Sequence, residues 1–314
     1  MAALPSLRQL RYLVAVGEYL NFTKAAEHCY VGQSTLSAGL KELEDNLGVQ
    51  LIERDRQNVS VTPVGQEIIA RAKQLLASAE DMVEHAQSAS KAMTGTVRLG
   101  AIPTIAPFLL PQVLPEIRKR YPNLKIALRE DLTSNLLQKV YDHQLDFAII
   151  ALPFDTEGLL VKELYGDEFW LAAKEDDPVF AGKEVTIPAK MADRLLLLEE
   201  GHCLREHSLR ACRRSEVANA EGLEATSLLT LVQMVESGLG IALLPEMAIK
   251  SGILKNTDLT ARPLSAPAPK RGIAIVARQT TARIDEYLAI AEIVSDAHRQ
   301  SQRKVSGPTR TGRR

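Results

Sequence analysis

Cysteine is scarce in this chain of 314 residues, with three in all: Cys29, Cys203 and Cys212. So small and odd a number argues against a secreted disulfide framework. No further Cys/His cluster stands at zinc spacing, so neither a metal nor any other cofactor is expected. Long apolar runs are missing too. None reaches the roughly 18–20 residues a membrane-spanning helix needs, and Met1 to Leu20 carries charges where a signal peptide would have its apolar core. The expectation is a soluble, cytoplasmic protein with no membrane partner. Neither sign of charge is in excess: 38 Lys and Arg stand against 39 Asp and Glu. Net charge therefore gives nucleic-acid binding no support, and such a role would have to rest on local geometry. The Gly-x-Ser-x-Gly nucleophile elbow and the Gly-x-Gly-x-x-Gly dinucleotide loop are both absent, which weakens hydrolase and dinucleotide-enzyme readings. An enzyme is not expected.

What is present is enough apolar residue, 46%, to fill the cores of two or three domains. Four parts can be read along the chain. In residues 1–62, Leu7, Leu10, Leu13 and Val14 repeat at helical spacing, giving a helix that ends near Leu20. Thr23 can cap a short helix from Lys24 to Cys29. A turn at Tyr30 to Gly32 leads to a third helix, Gln33 to Leu47, stopped by Gly48. Leu51-Ile52 and Val59 to Val61 then read as two short strands around a polar turn.

Residues 63–93 read as one long helix, with Thr62 as its cap and Pro63 in the first turn. Ile68, Ala72, Leu75, Ala79, Met82 and Ala86 step by four and three, a heptad seam suited to a partner chain. The same stripe could instead pack on its own domain. Residues 94–300 alternate strand and helix: strands near Thr96 to Ile102, Lys125 to Arg129 and Leu145 to Leu152, with helices at Pro111 to Tyr121 and Ser134 to His143. A second set begins near Glu168 and includes Leu195 to Leu198, Ser227 to Ser237 and Ile241 to Leu244. Gly272 to Ala277 and a last helix, Ala282 to His298, follow. This alternation predicts a mainly parallel sheet covered by helices, in two lobes: about 94–166 with 270–300, and about 167–269. The tail, 301–314, has five basic residues and no acidic ones; it reads as disordered and solvated, with a DNA-backbone contact as the other option.

A short helix, a tight turn and a second helix with a polar, small-residue face fit the DNA major groove. The base-reading side chains would be Gln33, Ser34, Thr35 and Ser37. Lys41, and Arg54 and Arg56 in the wing, are placed for phosphates. On periodicity alone, an ordinary three-helix bundle fits equally well. The residues decide more. Ala25-Ala26-Glu27, Val31-Gly32-Gln33-Ser34-Thr35-Leu36-Ser37, Leu51-Ile52-Glu53-Arg54 and Thr62-Pro63-Val64-Gly65 closely resemble the LysR-type regulators. The resemblance runs to about His298. It implies a winged helix-turn-helix, a dimerising linker helix and a two-lobed α/β effector domain like a periplasmic binding protein, in chains that usually assemble as tetramers on double-stranded DNA; RNA polymerase is a further expected partner. One departure is Gly32, where the family usually has Ser; the recognition helix should lose only a little capping by it. Cys29 replaces an apolar residue and reads as a buried, inert thiol.

Cys203 lies in Gly201-His202-Cys203-Leu204-Arg205, and Cys212 follows nine residues on. If the segment is helical, the thiols stand about 13–14 Å apart along the axis. A disulfide needs Cα atoms within about 7 Å, so joining them requires refolding, and a bond that requires refolding is a switch. His202 and Arg205 beside Cys203 would depress its pKa. Peroxide would then give a sulfenic acid that Cys212 resolves. Two unrelated cysteines remain the other reading, with a small co-inducer between the lobes as the signal.

Those residues, their nine-residue offset and Ile102-Pro103-Thr104 are similar to the peroxide-responsive members of the LysR group. That similarity implies Cys203 as the peroxidatic thiol, Cys212 as the resolving thiol, and Thr104, Thr133, His202 and Arg205 as groups that hold peroxide or polarise its leaving oxygen. It also implies re-reduction by cellular thiols such as glutathione or thioredoxin. Helix capping is the plain alternative for Thr104 and Thr133, and simple surface exposure for His202.

Overall fold

Ser6 starts the first helix by a reciprocal cap. Its hydroxyl accepts from the Gln9 backbone N–H, and the Gln9 side chain accepts from the Ser6 N–H at 2.9 Å. The computed structural model describes residues 4–54, 59–88, 92–182, 185, 193–211 and 223–305. By chain contacts it divides into one unit of residues 1–90 with 142–144, and a second made of the remainder.

In the first unit, α1 (Leu7–Tyr19), α2 (Phe22–His28) and α3 (Gln33–Leu47) enclose a core of Leu13, Val16, Leu36, Leu40 and Leu43, all fully buried. The cap of α2 is Asn21, not Thr23. Its Oδ1 accepts from both Thr23 N–H and Lys24 N–H, at 2.9 and 3.0 Å, and this carboxamide oxygen, two residues before Thr23, satisfies two free donors. Gly32 caps α3 with no side-chain bond, and Gly48 closes it at φ +69°, a conformation glycine adopts freely. The wing is an antiparallel pair, β1 (Ile52–Arg54) and β2 (Val59–Val61), with Ile52 opposite Val61. Arg56 lies outside the described residues.

Thr62 Oγ1 accepts from Gly65 N–H at 2.9 Å and opens α4 (Pro63–Ser88), 26 residues or about 39 Å long. The expected seam divides in two. Ile68 and Ile69 pack against the core of their own unit and Ala72 is buried, whereas Leu75, Met82 and Val83 are more than half exposed.

The second unit contains β3 (Gly95–Ala101), α5 (Ala106–Arg120), β4 (Leu124–Glu130), α6 (Thr133–Tyr141), β5 (Phe147–Leu152) and the 16-residue β6 (Leu159–Lys174). After it come a 3-10 turn (Pro178–Phe180), β7 (Leu197–Leu198), α7 (Cys203–Ala211), β8 (Glu224–Ala225), α8 (Leu228–Glu236), β9 (Ala242–Pro245), α9 (Glu246–Lys250), β10 (Leu259–Pro263), β11 (Lys270–Arg278) and α10 (Ile284–Val305). The principal sheet has the order β10-β6-β11-β5-β3-β4, with β9 also on β6. The expectation of a mainly parallel sheet is corrected here. Only β3 with β4 and β3 with β5 run parallel; β11 is antiparallel to β5 and β6, and β6 to β9 and β10. The chain leaves the first lobe along β6 and returns along β11, so the two meet in opposite directions with no crossover helix between them.

Two separate cores result. The first gathers β3, α5, β5 and α10 around Leu99, Phe147, Ile275 and Tyr287; the second gathers Phe169, Leu171, Leu197, Val232 and Leu243. The strand expected to begin at Glu168 starts at Leu159, because Gly166-Asp167 carries a turn signal that the long strand overrides. The last helix runs to Val305, so residues 301–305 of the expected disordered tail are helical, and 306–314 lie outside the described residues. His298 lies flat on Tyr165, ring centroids 3.8 Å apart, tying the end of α10 to β6.

Candidate functional site

Register places Arg271, near the start of β11, directly across from Asp167 on β6, where these strands pass between the two cores. Arg271 is wholly buried and Asp167 nearly so. Arg271 Nε and Nη2 donate to Asp167 Oδ2 at 3.1 and 3.0 Å. Its Nη1 donates to Thr104 Oγ1 at 2.8 Å, and Nη2 to the Thr104 carbonyl at 3.0 Å. Thr104 is therefore no helix cap: the cap residue of α5 is Ile105, with no side-chain bond.

Cys203 opens α7 and joins the first core, while the next residue, Leu204, joins the second. The helix thus begins at the seam between lobes. Burial pushes the Cys203 thiol above the ordinary cysteine range, and the Arg271 charge and Thr133 hydroxyl pull it part of the way back. The sequence expectation of a depressed pKa from His202 and Arg205 is corrected on two grounds. His202 is buried and driven toward its neutral form by desolvation, only partly opposed by Glu199. Arg205 Nη1 donates to the Leu198 carbonyl at 3.0 Å and to Glu224 Oε1 at 2.6 Å, which ties α7 to β7 and β8. The cation that acts on Cys203 is Arg271.

Thr133 is 1% exposed and its hydroxyl makes no hydrogen bond of normal geometry, yet it lies near enough to Cys203 to lower the thiol pKa. Helix capping is not its role: Asp131 Oδ1 takes the Leu132 N–H at 3.0 Å and the Asn135 side chain at 2.7 Å. Nor is His202 a surface residue, at 6% exposure, with Nε2 3.8 Å from Glu199 Oε1. Gly201, at φ +92°, makes the turn that brings His202 and Cys203 inward; a Cβ there would stand 2.9 Å from Leu132 Cδ1. Cys212 lies outside the described residues, one position beyond the end of α7.

Sequence reasoning missed Arg271 and Asp167, and also His207. His207 is 6% exposed, tilted against Phe169, and neither ring nitrogen has a hydrogen bond of normal geometry. Burial and the Arg271 charge drive its pKa down to about 4, against a small opposing effect of the Pro153 carbonyl.

On the first unit, Gln33, Ser34, Thr35 and Lys41 are exposed along α3, and Ser37 is half-buried. Arg54 lies at the end of β1. Cys29 is half-buried rather than buried as expected, its Sγ 3.9 Å from the Arg11 carbonyl; desolvation raises its pKa, partly opposed by Arg11.

A helix-turn-helix with an open polar helix, together with a two-lobed α/β domain, defines a DNA-binding regulator with a separate sensing domain. Residues 7–66 match the bacterial regulatory helix-turn-helix protein model of the lysR family, and residues 90–298 match the LysR substrate binding domain. The chain belongs to the LysR family of transcription regulators, which are not enzymes. It is 45% identical to the HTH-type transcriptional regulator EstR of Acinetobacter baylyi, over 94% of this chain and 97% of that one. It is 35% identical to the DNA-binding transcriptional dual regulator OxyR of Escherichia coli, over 92% and 94%. A full-length OxyR variant from Pseudomonas aeruginosa superposes with a TM-score of 0.74 at 36% identity, covering 93% of this chain and 95% of that chain. A hydrogen-peroxide-bound OxyR mutant from Corynebacterium glutamicum gives 0.63 at 33%, covering 96% and 95%.

Proposed function

We propose that this chain is a cytoplasmic transcription activator that senses hydrogen peroxide through Cys203 and controls antioxidant genes. The carrying observation is the placement of one buried thiol at the joint of two cores, acted on by the buried Thr133 hydroxyl and by the charge of the buried Arg271 guanidinium, which also holds Thr104. Peroxide reaching the thiol would be held by donors from Arg271, Thr104, Thr133 and His202. The Cys203 sulfur attacks one peroxide oxygen, the O–O bond breaks, and the other oxygen leaves as water after taking the thiol proton. Cys203 becomes a sulfenic acid. Cys212 then displaces its hydroxyl as a second water, giving the disulfide.

Eight residues of helix carry the chain from Cys203 to Ala211, about 12 Å along the axis. Bringing the next residue back to Cys203 therefore unwinds α7, and with it the Arg205–Glu224 pair. The exposed Leu75, Met82 and Val83 on α4 support a dimer through that helix; a tetramer, contact with RNA polymerase and re-reduction by cellular thiols follow from the same reading. Gln33, Ser34, Thr35 and Ser37 read bases of double-stranded DNA, while Lys41, Arg54 and Arg56 hold phosphates.

A second reading is a regulator that answers a small co-inducer between the lobes; in its favour, EstR, more similar to this chain than the OxyR of Escherichia coli, is not named for hydrogen peroxide. Brief peroxide exposure of the reduced full-length protein, followed by peptide mass spectrometry, separates the two. A Cys203–Cys212 link that forms, and a peroxide response that disappears in Cys203→Ser, support the sensor. Free thiols at both positions after exposure overturn it.

A further inference from the structure

Arg271 has a further partner besides Asp167 and Thr104. Its Nη2 donates to the Met247 sulfur at 3.5 Å, while the Met247 backbone N–H donates to Asp167 Oδ1 at 3.0 Å. Met247 is thus bound at two points to the ion pair that positions Thr104. Its own exposure differs from theirs. Arg271, Thr104 and Asp167 are buried, but Met247, in the first turn of α9, is half-buried. It lines a cleft with Phe108, Gln112, Tyr165, Lys250 and His298. The Met247 side chain therefore faces a cleft that Cys203 does not line, through which a small uncharged oxidant could approach it.

We propose that Met247 is a second oxidation site, at which conversion to the sulfoxide by hypochlorous acid damps the response of Cys203. The oxidant's oxygen ends on the Met247 sulfur, which gives up two electrons; chlorine accepts them and leaves as chloride, and the proton passes to water. A thioether is a weak hydrogen-bond acceptor, and a sulfoxide oxygen is a strong one. Nη2 is already shared among Asp167 Oδ2, the Thr104 carbonyl and the sulfur. The new oxygen competes for it and draws the guanidinium toward α9, away from Thr104 and the thiol. The thiol then loses part of the positive charge that offsets its burial, and Thr104 loses its fixed direction. The change is reversible, because methionine sulfoxide reductases restore the thioether. A site built this way would let strong oxidants silence a sensor tuned to peroxide.

The proposal rests on the peroxide-sensor reading of Cys203, and its test has two arms. In the first, full-length Cys203→Ser protein is treated with hypochlorous acid and mapped by mass spectrometry. The expected result is a gain of about 16 Da at Met247, to an extent comparable with the exposed Met82 and reversed by the reductase. Met247 left unmodified while Met82 is fully oxidised overturns the proposal, whatever Cys203 does. In the second, Met247→Gln, which places an amide oxygen or nitrogen near Arg271, is compared with Met247→Leu for the rate of Cys203 oxidation by peroxide. The Gln variant should be about tenfold slower than the Leu variant, with its rate–pH profile moved to higher pH. Equal rates and coincident profiles overturn the proposal. If neither variant nor the parent reacts with peroxide at all, it is the sensor reading that fails.

Discussion

Arg271 donates to Thr104 from Nη1 at 2.8 Å while its Nε and Nη2 hold Asp167, so one buried guanidinium, whose charge also acts on Cys203, couples the ion pair to the Thr104 hydroxyl. Removing one member of such a pair leaves an uncompensated buried charge, and Asp167→Ala should cost about 3–5 kcal/mol of stability. Replacing both, as Asp167→Leu with Arg271→Met, should recover much of that loss while slowing Cys203 oxidation by at least about tenfold. Urea unfolding together with stopped-flow peroxide kinetics checks both halves. Full peroxide reactivity in the double variant would remove Arg271 from the site.

Cys203 is a protonated thiol rather than a preformed thiolate. Its pKa is raised by burial despite Arg271 and Thr133, so the thiol form dominates at neutral pH. The oxidation rate should therefore keep rising with pH through the ordinary thiol range, and level off only above it. The same raised pKa makes the folded chain hold that proton longer than the unfolded chain. Its stabilising effect is complete below the ordinary thiol range and is lost as pH climbs through the elevated value. Rate profiles of the parent and Thr133→Val test this; the variant should be slower at each pH, with its rise displaced upward.

His207 gives the converse case. In the folded chain its pKa is near 4, below the ordinary imidazole value, so the unfolded chain takes the proton first. Stability from this residue is present at neutral pH and falls as pH drops from the ordinary value toward 4, by roughly 3 kcal/mol at the lower end. Because both ring nitrogens are buried without hydrogen bonds of normal geometry, His207→Leu should be neutral or stabilising at pH 7.5. It should also flatten the loss seen by urea unfolding at pH 5. A parent and variant that weaken in parallel would place the acid sensitivity elsewhere.

These sites differ in how far the sequence discloses them. Cys203, His202 and Gly201 share one short motif, and Thr104 sits just past a strand whose apolar run is plain, so all four could be read directly. The Gly48 stop and the Thr62-Pro63 start of α4 were legible for the same reason: each is a local device. Arg271 and Thr104 are 167 positions apart and meet only through the sheet order, which sets β11 beside β5 and β5 beside β3, the strand that leads to Thr104. No periodicity encodes that meeting. Arg205 misled because nearness in sequence says nothing about direction; its side chain leaves the thiol for Glu224. The sheet was misjudged as mainly parallel because the alternation of strands and helices holds for β3 to β5 but not for the return along β11.

The recognition helix offers a separation of two kinds of contact. Gln33 stands exposed in the first turn of α3, where a carboxamide can make paired hydrogen bonds with adenine. Lys41 is exposed two turns on, where its charge suits a phosphate. Gln33→Ala should therefore cost about 1–3 kcal/mol on the preferred site and relax preference at one base position, leaving the salt dependence unchanged. Lys41→Met should weaken all sites alike and reduce the slope of log affinity against log salt by about one. Fluorescence anisotropy on a set of single-base variants, repeated at several salt concentrations, measures both quantities. If Gln33→Ala weakened every site equally, the residue would be positioning the helix rather than reading a base. A Lys41 variant that kept the full salt slope would likewise show that its ammonium displaces no counterion, and the phosphate contacts would have to lie elsewhere on the domain.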